Sequence, residues 1–122
     1  MSRVIHFEIP ADDPERATKF YGDAFGWKFT KWEGPMEYWL VETGPESAAG
    51  INGGLMRRQQ PGASVVNVLD VTSVDDAVKA VEKAGGSTVV PKMAIEGIGW
   101  AAYFQDPEGN TFGVMQGDSS AS

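Results

Sequence analysis

Residues 97–115 have the sequence GIGWAAYFQDPEGNTFGVM, and this segment predicts a β-hairpin. Its first part is apolar, and Trp, Tyr and Phe favour a pleated strand over a helix. Residues 106–110 (DPEGN) form the turn, because Pro fixes φ at the first corner while Gly and Asn accept positive φ at later ones. The two predicted strands are Ile98–Gln105 and Thr111–Met115.

Two amphipathic helices are predicted earlier in the chain. Asp13 is a suitable N-cap for the first helix, and Gly26 is suited to end it. Ser73 caps the second helix, with Asp76 three residues on, and Gly85 follows its end. The apolar residues of the first helix recur at helical spacing: Ala17, Phe20, Tyr21, Ala24 and Phe25.

An internal repeat emerges once the remaining strands are assigned. Six further strands are predicted at Arg3–Ile9, Trp27–Glu33, Met36–Thr43, Ile51–Arg58, Ser64–Val71 and Ser87–Met93. Each half of the chain then has the order strand, helix, strand, strand, strand, and a gap-free overlay aligns Ile9 with Leu69 and Ala17 with Ala77. We predict an α+β fold of two tandem βαβββ units that form a curved mixed sheet around a cleft, with the helices on the outer face. The expected boundaries within one domain of residues 1–122 are 3–58 for the first unit, 59–63 for a linker, 64–116 for the second unit and 117–122 for a flexible tail.

Composition limits the classes of function. The 122 residues carry a formal charge of −7, which argues against nucleic acid and is compatible with a cationic small molecule. No cysteine is present, so disulfides, thiol catalysis and cysteine-bound zinc are excluded. No apolar run approaches the length of a membrane helix and the start is not a signal peptide, so we expect no membrane association and a cytoplasmic location.

The repeat resembles the vicinal oxygen chelate superfamily, which includes glyoxalase I, ring-cleaving dioxygenases and bleomycin resistance proteins. The likeness rests on Phe20-Tyr21 before Phe25-Gly26-Trp27, and on Gly99-Trp100 ahead of the turn at residues 106–110. It extends over almost the whole chain and is closest to stand-alone glyoxalase-like proteins. The resemblance implies the fold predicted above, a ligand cleft and a homodimer.

The same resemblance implies where a divalent metal would bind. Members hold the ion with one side chain from the first and last strand of each unit, typically His or Gln early and Glu late. In this chain only His6 matches. The other three positions correspond to Gly53, Gly54 or Met56 in the fourth strand, to Val66 beside Asn67 in the strand that opens the second unit, and to Gly113 in the last strand. We therefore expect no complete metal site and assign no cofactor, with a divalent metal as the less favoured alternative.

His6 and Glu8 are the candidate catalytic residues. Alternation along a strand puts both side chains on one face, so Glu8 would favour the charged form of an acid–base imidazole. The favoured alternative is that His6 is a cleft-wall residue hydrogen-bonded to a neighbour or water, and that Glu8 pairs with a local Lys or Arg.

The aromatic residues suggest where a ligand would bind. Rings on the cleft side would form an apolar, flat-walled pocket for an aromatic or cationic molecule, although core packing or dimerisation is the simpler explanation for any single Trp. The candidate ligand-binding residues are Trp39, Trp100, Tyr103, Met115, Asn67, Val66 and Gly113.

Three functions remain open from the sequence. The first is a protein that binds a small organic molecule without turnover, in the manner of bleomycin resistance proteins. The second is an enzyme: a lyase or isomerase that uses His6, or a metal-dependent lyase, isomerase or dioxygenase of the glyoxalase I type. The third is an interaction module whose aromatic side chains serve dimerisation.

Overall fold

A computed structural model describes residues 2–122, and within this range the chain forms eight strands and two helices. Their bounds are β1 (Val4–Ala11), α1 (Pro14–Phe25), β2 (Lys28–Lys31), β3 (Tyr38–Glu42), β4 (Gly53–Arg57), β5 (Val66–Asp70), α2 (Val74–Lys83), β6 (Ser87–Ile95), β7 (Gly99–Gln105) and β8 (Thr111–Gly117). Each half therefore has the predicted order of one strand, one helix and three strands.

The chain divides into two compact units. The N-terminal unit comprises residues 6–65, and the C-terminal unit comprises residues 66–122 together with the residues before His6. The strand order in the N-terminal unit is β2-β3-β4-β1, and β1 runs parallel to β4 while the other pairs are antiparallel. The C-terminal unit repeats this plan as β6-β7-β8-β5, with β5 parallel to β8. The α+β fold with two βαβββ units and mixed strand pairing is confirmed.

Local hydrogen bonds explain where the helices begin and end. The Asp13 carboxylate accepts a hydrogen bond from the Arg16 backbone N–H at 3.2 Å, and Gly26 adopts a left-handed φ of 73° after the last turn of α1. The Ser73 hydroxyl caps α2 in the same way at 3.1 Å. Within residues 2–122, neither helix has the length and apolar character needed to cross a bilayer.

α1 covers one face of the N-terminal unit. Val41 and Leu55 are almost fully buried against the helix side, at 2% and 0% exposure. The partly buried residues packed on this cluster are Phe7, Ile9, Ala17, Tyr21, Trp27, Phe29 and Trp39. Because side chains alternate along β1, His6 and Glu8 lie on the opposite face, which we call the helix-free face.

α2 covers one face of the C-terminal unit in the same manner. Val74, Ala102, Phe104 and Val114 form the buried cluster there. Trp100 and Phe112 are among the partly buried residues packed against it. Alternation then places Tyr103, Gly113 and Met115 on the helix-free face of this unit.

Three residues of the expected apolar stripe in α1 are exposed: Phe20, Ala24 and Phe25. Phe20 and Phe25 are 58% and 66% exposed, because Ala17 and Tyr21 already fill the contact with the strands. Phe20 lies with its ring edge-on to Tyr21 at 5.1 Å between centroids. The helical spacing of the apolar residues was predicted correctly, but fewer of them contact the strands than was predicted.

Residues 117–122, expected to form a flexible tail, make specific contacts. Asp118 accepts a hydrogen bond from the Trp100 indole N–H at 2.9 Å. The Gly97 N–H donates to the Ala121 carbonyl oxygen at 3.0 Å, and Ala121 is only 2% exposed. The packed part of the C-terminal unit therefore extends to Ala121, beyond the predicted limit at residue 116.

Candidate functional site

The helix-free face of the N-terminal unit brings together three polar side chains from two strands. His6 and Glu8 come from β1, and Tyr38 comes from the start of β3. β4 lies between these strands, and Gly54 of β4 pairs with Glu8 on one side. Because Gly54 has no side chain, Tyr38 can extend across β4 and reach β1.

A continuous hydrogen-bond chain links these residues. Tyr38 Oη lies 2.7 Å from His6 Nε2 and donates its proton to Glu8 Oε2 at 2.9 Å. A phenol has one proton to donate, so the Tyr38 oxygen must act as acceptor toward His6. His6 Nε2 therefore carries a proton, and in the neutral imidazole the lone pair is on Nδ1.

Burial and charge act in opposite directions on His6. Removal from water lowers the pKa of His6 below its usual value, and the nearby Glu8 carboxylate opposes that shift without cancelling it. Glu8 itself is only 8% exposed. At neutral pH the site thus presents a neutral imidazole next to a largely buried glutamate.

An aromatic ring contacts Tyr38, and exposed apolar side chains lie on the same strand and in the loop before it. The Trp32 ring stands edge-on to Tyr38 with centroids 6.2 Å apart. Leu40, which shares the face of Tyr38, is 47% exposed, and Met36 in the preceding loop is 50% exposed. The site therefore combines hydrogen-bonding groups with accessible apolar surface, as small-molecule sites do.

Trp39 lies on the other side of this sheet. It packs in the helix-face cluster with Val41 and Leu55, and the Lys31 ammonium lies 5.6 Å from its ring centroid. Its position disagrees with the prediction that it lines a pocket with His6. The physical reason is alternation, since Trp39 follows Tyr38 directly in β3.

Trp100 likewise lies on the helix face, within the C-terminal unit. It packs against the buried cluster beneath α2 and donates its indole N–H to Asp118. The Lys92 ammonium lies 4.6 Å from the Trp100 ring centroid. These contacts give the ring a structural role and disagree with its predicted place in a ligand pocket.

The other candidate ligand-binding residues of the C-terminal unit lie on both faces of its sheet. Tyr103 pairs with Gly113, and Met115 pairs with Ala101, all on the helix-free face. Val66 also alternates onto that face, whereas Asn67 is exposed and points to the helix side. A ligand-binding role for these residues stays a prediction.

The residues at the expected metal positions do not form a suitable donor set. Gly54 and Gly113 offer no side-chain donor, and a tyrosine ring lies close over each of them. Among residues 2–122, no three His, Asp or Glu side chains are grouped so that they could hold a metal ion. A divalent ion held by His6 alone would lack coordination and charge compensation.

Tyr38 was missed as a site residue by the sequence analysis. Two sequence patterns together could have identified Tyr38. Alternation places Tyr38 and Trp39 on opposite faces of β3, and a glycine in the neighbouring strand leaves space for a large ring. Neither pattern alone identifies it.

A separate shallow depression of about 380 Å³ lies near the start of α1. It does not include His6, Glu8 or Tyr38. Its rim carries the ion pair between Arg58 and Asp12, with Nε and Oδ1 2.9 Å apart. These charges neutralise each other, so the depression shows less of the chemistry of a binding site than the helix-free face does.

Comparisons with known proteins agree with this architecture. The family model described as "Bleomycin resistance protein-like N-terminal" matches residues 3–44. A "Glyoxylase-like domain-containing protein" of Didymella fabae is 30% identical over 117 residues, covering 92% of this chain and 91% of that protein.

Solved structures extend the likeness to the whole fold. A glyoxalase/bleomycin resistance protein/dioxygenase superfamily member from Vibrio splendidus has 22% identity and a TM-score of 0.66, with 97% of this chain and 100% of that chain covered. A methylmalonyl-CoA epimerase of Streptomyces coelicolor has 13% identity and a TM-score of 0.71, with 98% and 97% covered.

Proposed function

Because this chain belongs to the vicinal oxygen chelate superfamily, as a glyoxalase-like protein, we propose that it binds a small organic molecule without a complete divalent-metal site. The proposed site is the helix-free face of the N-terminal unit. The polar contacts come from His6, Glu8 and Tyr38, and the apolar contacts come from Trp32 and Leu40.

The hydrogen-bond chain from His6 through Tyr38 to Glu8 is the observation that carries this proposal. It keeps a carboxylate and an imidazole in fixed positions on a surface that also offers an aromatic ring. With Nε2 bonded to Tyr38, the neutral His6 has its acceptor lone pair on Nδ1, and we assign this atom to a hydrogen-bond donor of the ligand. The formal charge of −7 favours a ligand that carries positive charge.

Tryptophan fluorescence tests this proposal directly. The probes are a panel of small aromatic amines, with bleomycin included because of the family match. We expect saturable quenching that disappears in Trp32→Phe and persists in Trp100→Phe, since the Trp32 ring contacts Tyr38, whereas Trp100 packs beneath α2. His6→Ala should weaken the affinity roughly 3- to 10-fold, the effect of one lost hydrogen bond. Quenching that survives in Trp32→Phe, or affinity unchanged in His6→Ala, would contradict the proposed site.

A second candidate function is proton transfer by the same residues. The support is that His6 is linked through Tyr38 to the Glu8 carboxylate by two hydrogen bonds, which is an arrangement suited to general acid–base catalysis. The reaction class would be a lyase or isomerase. An enzyme would lose turnover in His6→Ala with folding intact, whereas a binding protein would show no turnover in either form.

The metal-dependent alternative has its own test. Elemental analysis of protein purified without a histidine tag, before and after incubation with zinc, nickel, manganese or iron(II), measures the bound metal. We expect no stoichiometric metal. Stoichiometric metal that is lost in His6→Ala would favour the glyoxalase I or dioxygenase type of reaction.

Self-association and location stay predictions from the family and the composition. A homodimer would show a melting temperature that rises with protein concentration. If dimerisation occurs and no probe binds, the third function, an interaction module, is favoured. A cytoplasmic location would be tested by fractionating cells that express the protein.

A further inference from the structure

In the N-terminal unit, the Tyr38 side chain occupies the space that a side chain at position 54 would need. A Cβ atom added to Gly54 would overlap the hydroxyl and the ring of Tyr38. Interiors are close-packed, so a side chain at position 54 and the observed position of Tyr38 exclude each other. The hydrogen-bond chain on the helix-free face therefore depends on glycine at position 54.

The C-terminal unit also has a tyrosine over a glycine of its last strand, although Tyr103 is the direct register partner of Gly113, whereas Tyr38 is the partner of Met56 and reaches Gly54 diagonally. Tyr103 of β7 pairs with Gly113 of β8, and a Cβ atom added to Gly113 would lie 2.9 Å from Tyr103 Cε1. Real Cβ atoms essentially never approach a ring carbon so closely. In both units, then, the last strand carries glycine on the helix-free face, and a tyrosine of the antiparallel neighbour covers it.

From this repetition we propose that a tyrosine takes the place of a carboxylate metal ligand in each unit, Tyr38 over Gly54 and Tyr103 over Gly113. The N-terminal unit thus has a phenol-based hydrogen-bonding site, formed by His6, Tyr38 and Glu8, at positions where the resemblance implies ligands of a divalent ion. This inference rests on the proposed function, because it specifies how the same site operates without a metal.

The side chains of tyrosine and glutamate differ in how they can interact with a cation. A phenol keeps its proton at neutral pH, so it brings neither the negative charge nor the second oxygen that Glu offers a cation. Tyr38 instead donates a hydrogen bond to Glu8 and accepts one from His6. An ion approaching His6 Nε2 would have to displace a proton that is already hydrogen-bonded.

The chain offers a direct reporter for this proposal, since His6 is its only histidine. The imidazole ¹H–¹⁵N signals of the full-length protein are followed while Zn²⁺ or Ni²⁺ alone is added. We expect no saturable change in the wild type. A saturable shift or broadening of the His6 signals in the wild type would overturn the proposal.

A paired substitution tests whether the tyrosine occupies a ligand's place. Tyr38→Ala combined with Gly54→Glu removes the ring and supplies a carboxylate beside Glu8, since Gly54 and Glu8 are register partners. We expect this variant to gain saturable Ni²⁺ binding at His6. Tyr38→Ala alone is the matched control and should show none. A folded double variant without the gain, or a gain in the control, would contradict the proposal.

A milder substitution covers the case in which the double variant does not fold. Gly54→Ala should displace Tyr38 and shift the His6 Nε2–H signal, as Tyr38→Phe should by removing the hydroxyl. Gly44→Ala is the matched control, because a Cβ atom there meets nothing within 4 Å. An Nε2–H signal unchanged by Gly54→Ala would overturn the proposal.

These measurements separate the present inference from the proposed function. They use metal ions and NMR signals and need no organic ligand. A protein that binds no probe but gains Ni²⁺ binding in the double variant would refute the proposed function and support the tyrosine replacement. A protein that binds a probe but gains no Ni²⁺ binding in the double variant would refute only the proposal that tyrosine takes the place of a metal ligand.

Discussion

At the residue scale, the ionisation of His6 is the property most sensitive to its surroundings. Burial lowers the pKa of His6, and the Glu8 carboxylate limits this decrease. We expect the wild-type His6 pKa to lie below the usual value of about 6.5. In Glu8→Gln the pKa should fall further, because the group that stabilises the imidazolium is gone.

The NMR titration of the single imidazole measures this change, with Glu42→Gln as the control. Glu42 is an exposed carboxylate on β3, so its loss should leave the His6 titration close to that of the wild type. A His6 pKa that rises in Glu8→Gln would show that burial is not the dominant cause.

The same shift predicts how stability depends on pH. The folded protein binds the His6 proton less tightly than the unfolded chain does, because the pKa is lowered on folding. The contribution of His6 to the free energy of unfolding is therefore complete above the unfolded pKa of about 6.5, and it decreases as the pH falls from there toward the folded pKa.

Urea unfolding at pH 7.5 and pH 5.5 would measure this dependence in the wild type and in His6→Gln. We expect the wild type to lose more stability than the variant over this interval, since Gln does not titrate. Equal losses in the two proteins would contradict a lowered His6 pKa.

At the scale of elements, two phenylalanines with opposite environments test the assigned packing. Phe104 of β7 is fully buried beneath α2, whereas Phe20 of α1 is 58% exposed. Phe104→Ala should cost about 3–5 kcal/mol of the free energy of unfolding, because it leaves a cavity in the core. Phe20→Ala should cost less than about 1 kcal/mol, as substitutions outside the core commonly do.

Denaturant unfolding of both variants measures the loss in the free energy of unfolding. An m-value equal to that of the wild type shows that each variant exposes the same surface on unfolding. If Phe20→Ala cost as much as Phe104→Ala, α1 would have to be packed against a partner through that ring.

At the scale of the whole molecule, residues 118–121 make contacts that contribute to the fold of the C-terminal unit. Ala121 is buried, and its carbonyl oxygen accepts a hydrogen bond from Gly97. A chain shortened to end at Gly117 also loses Asp118, the acceptor of the Trp100 indole N–H. We expect a melting temperature lower by several degrees.

Calorimetry of the shortened chain measures this decrease, with Ser122 alone removed as the control, since Ser122 is exposed. A shortened chain with the wild-type melting temperature would show that residues 118–122 do not stabilise the fold.

The elements of the fold were predictable from the sequence because their signals are local. The N-cap at Asp13, the left-handed Gly26 and the turn at residues 106–110 each act within a few residues. Gly109 of that turn adopts the predicted positive φ, at 83°, whereas Asn110 does not. Three hydrogen bonds to the Asp106 carboxylate, which the sequence analysis did not predict, also hold the turn.

The site was only partly predictable, because its geometry depends on strands that are distant in sequence. Alternation correctly placed His6 and Glu8 on one face. It could not show that β3 and β4 align so that Tyr38 crosses Gly54, since register between strands follows from the packed fold. The helix-side positions of Trp39 and Trp100 were not predicted for a different reason: alternation tells which residues share a face of a strand, but not which face a helix covers.

The parallel pairing of the first strand with the last strand of each unit also affects how the chain folds. Phe7 pairs with Gly53, and Val68 pairs with Gly113, so each pairing joins residues about 45 positions apart in the chain. During synthesis, β1 emerges from the ribosome long before its partner and must wait for β4. Each unit needs one such loop closure, and we expect these two long-range parallel pairings to limit the folding rate, although the other strand pairs within each unit join consecutive strands.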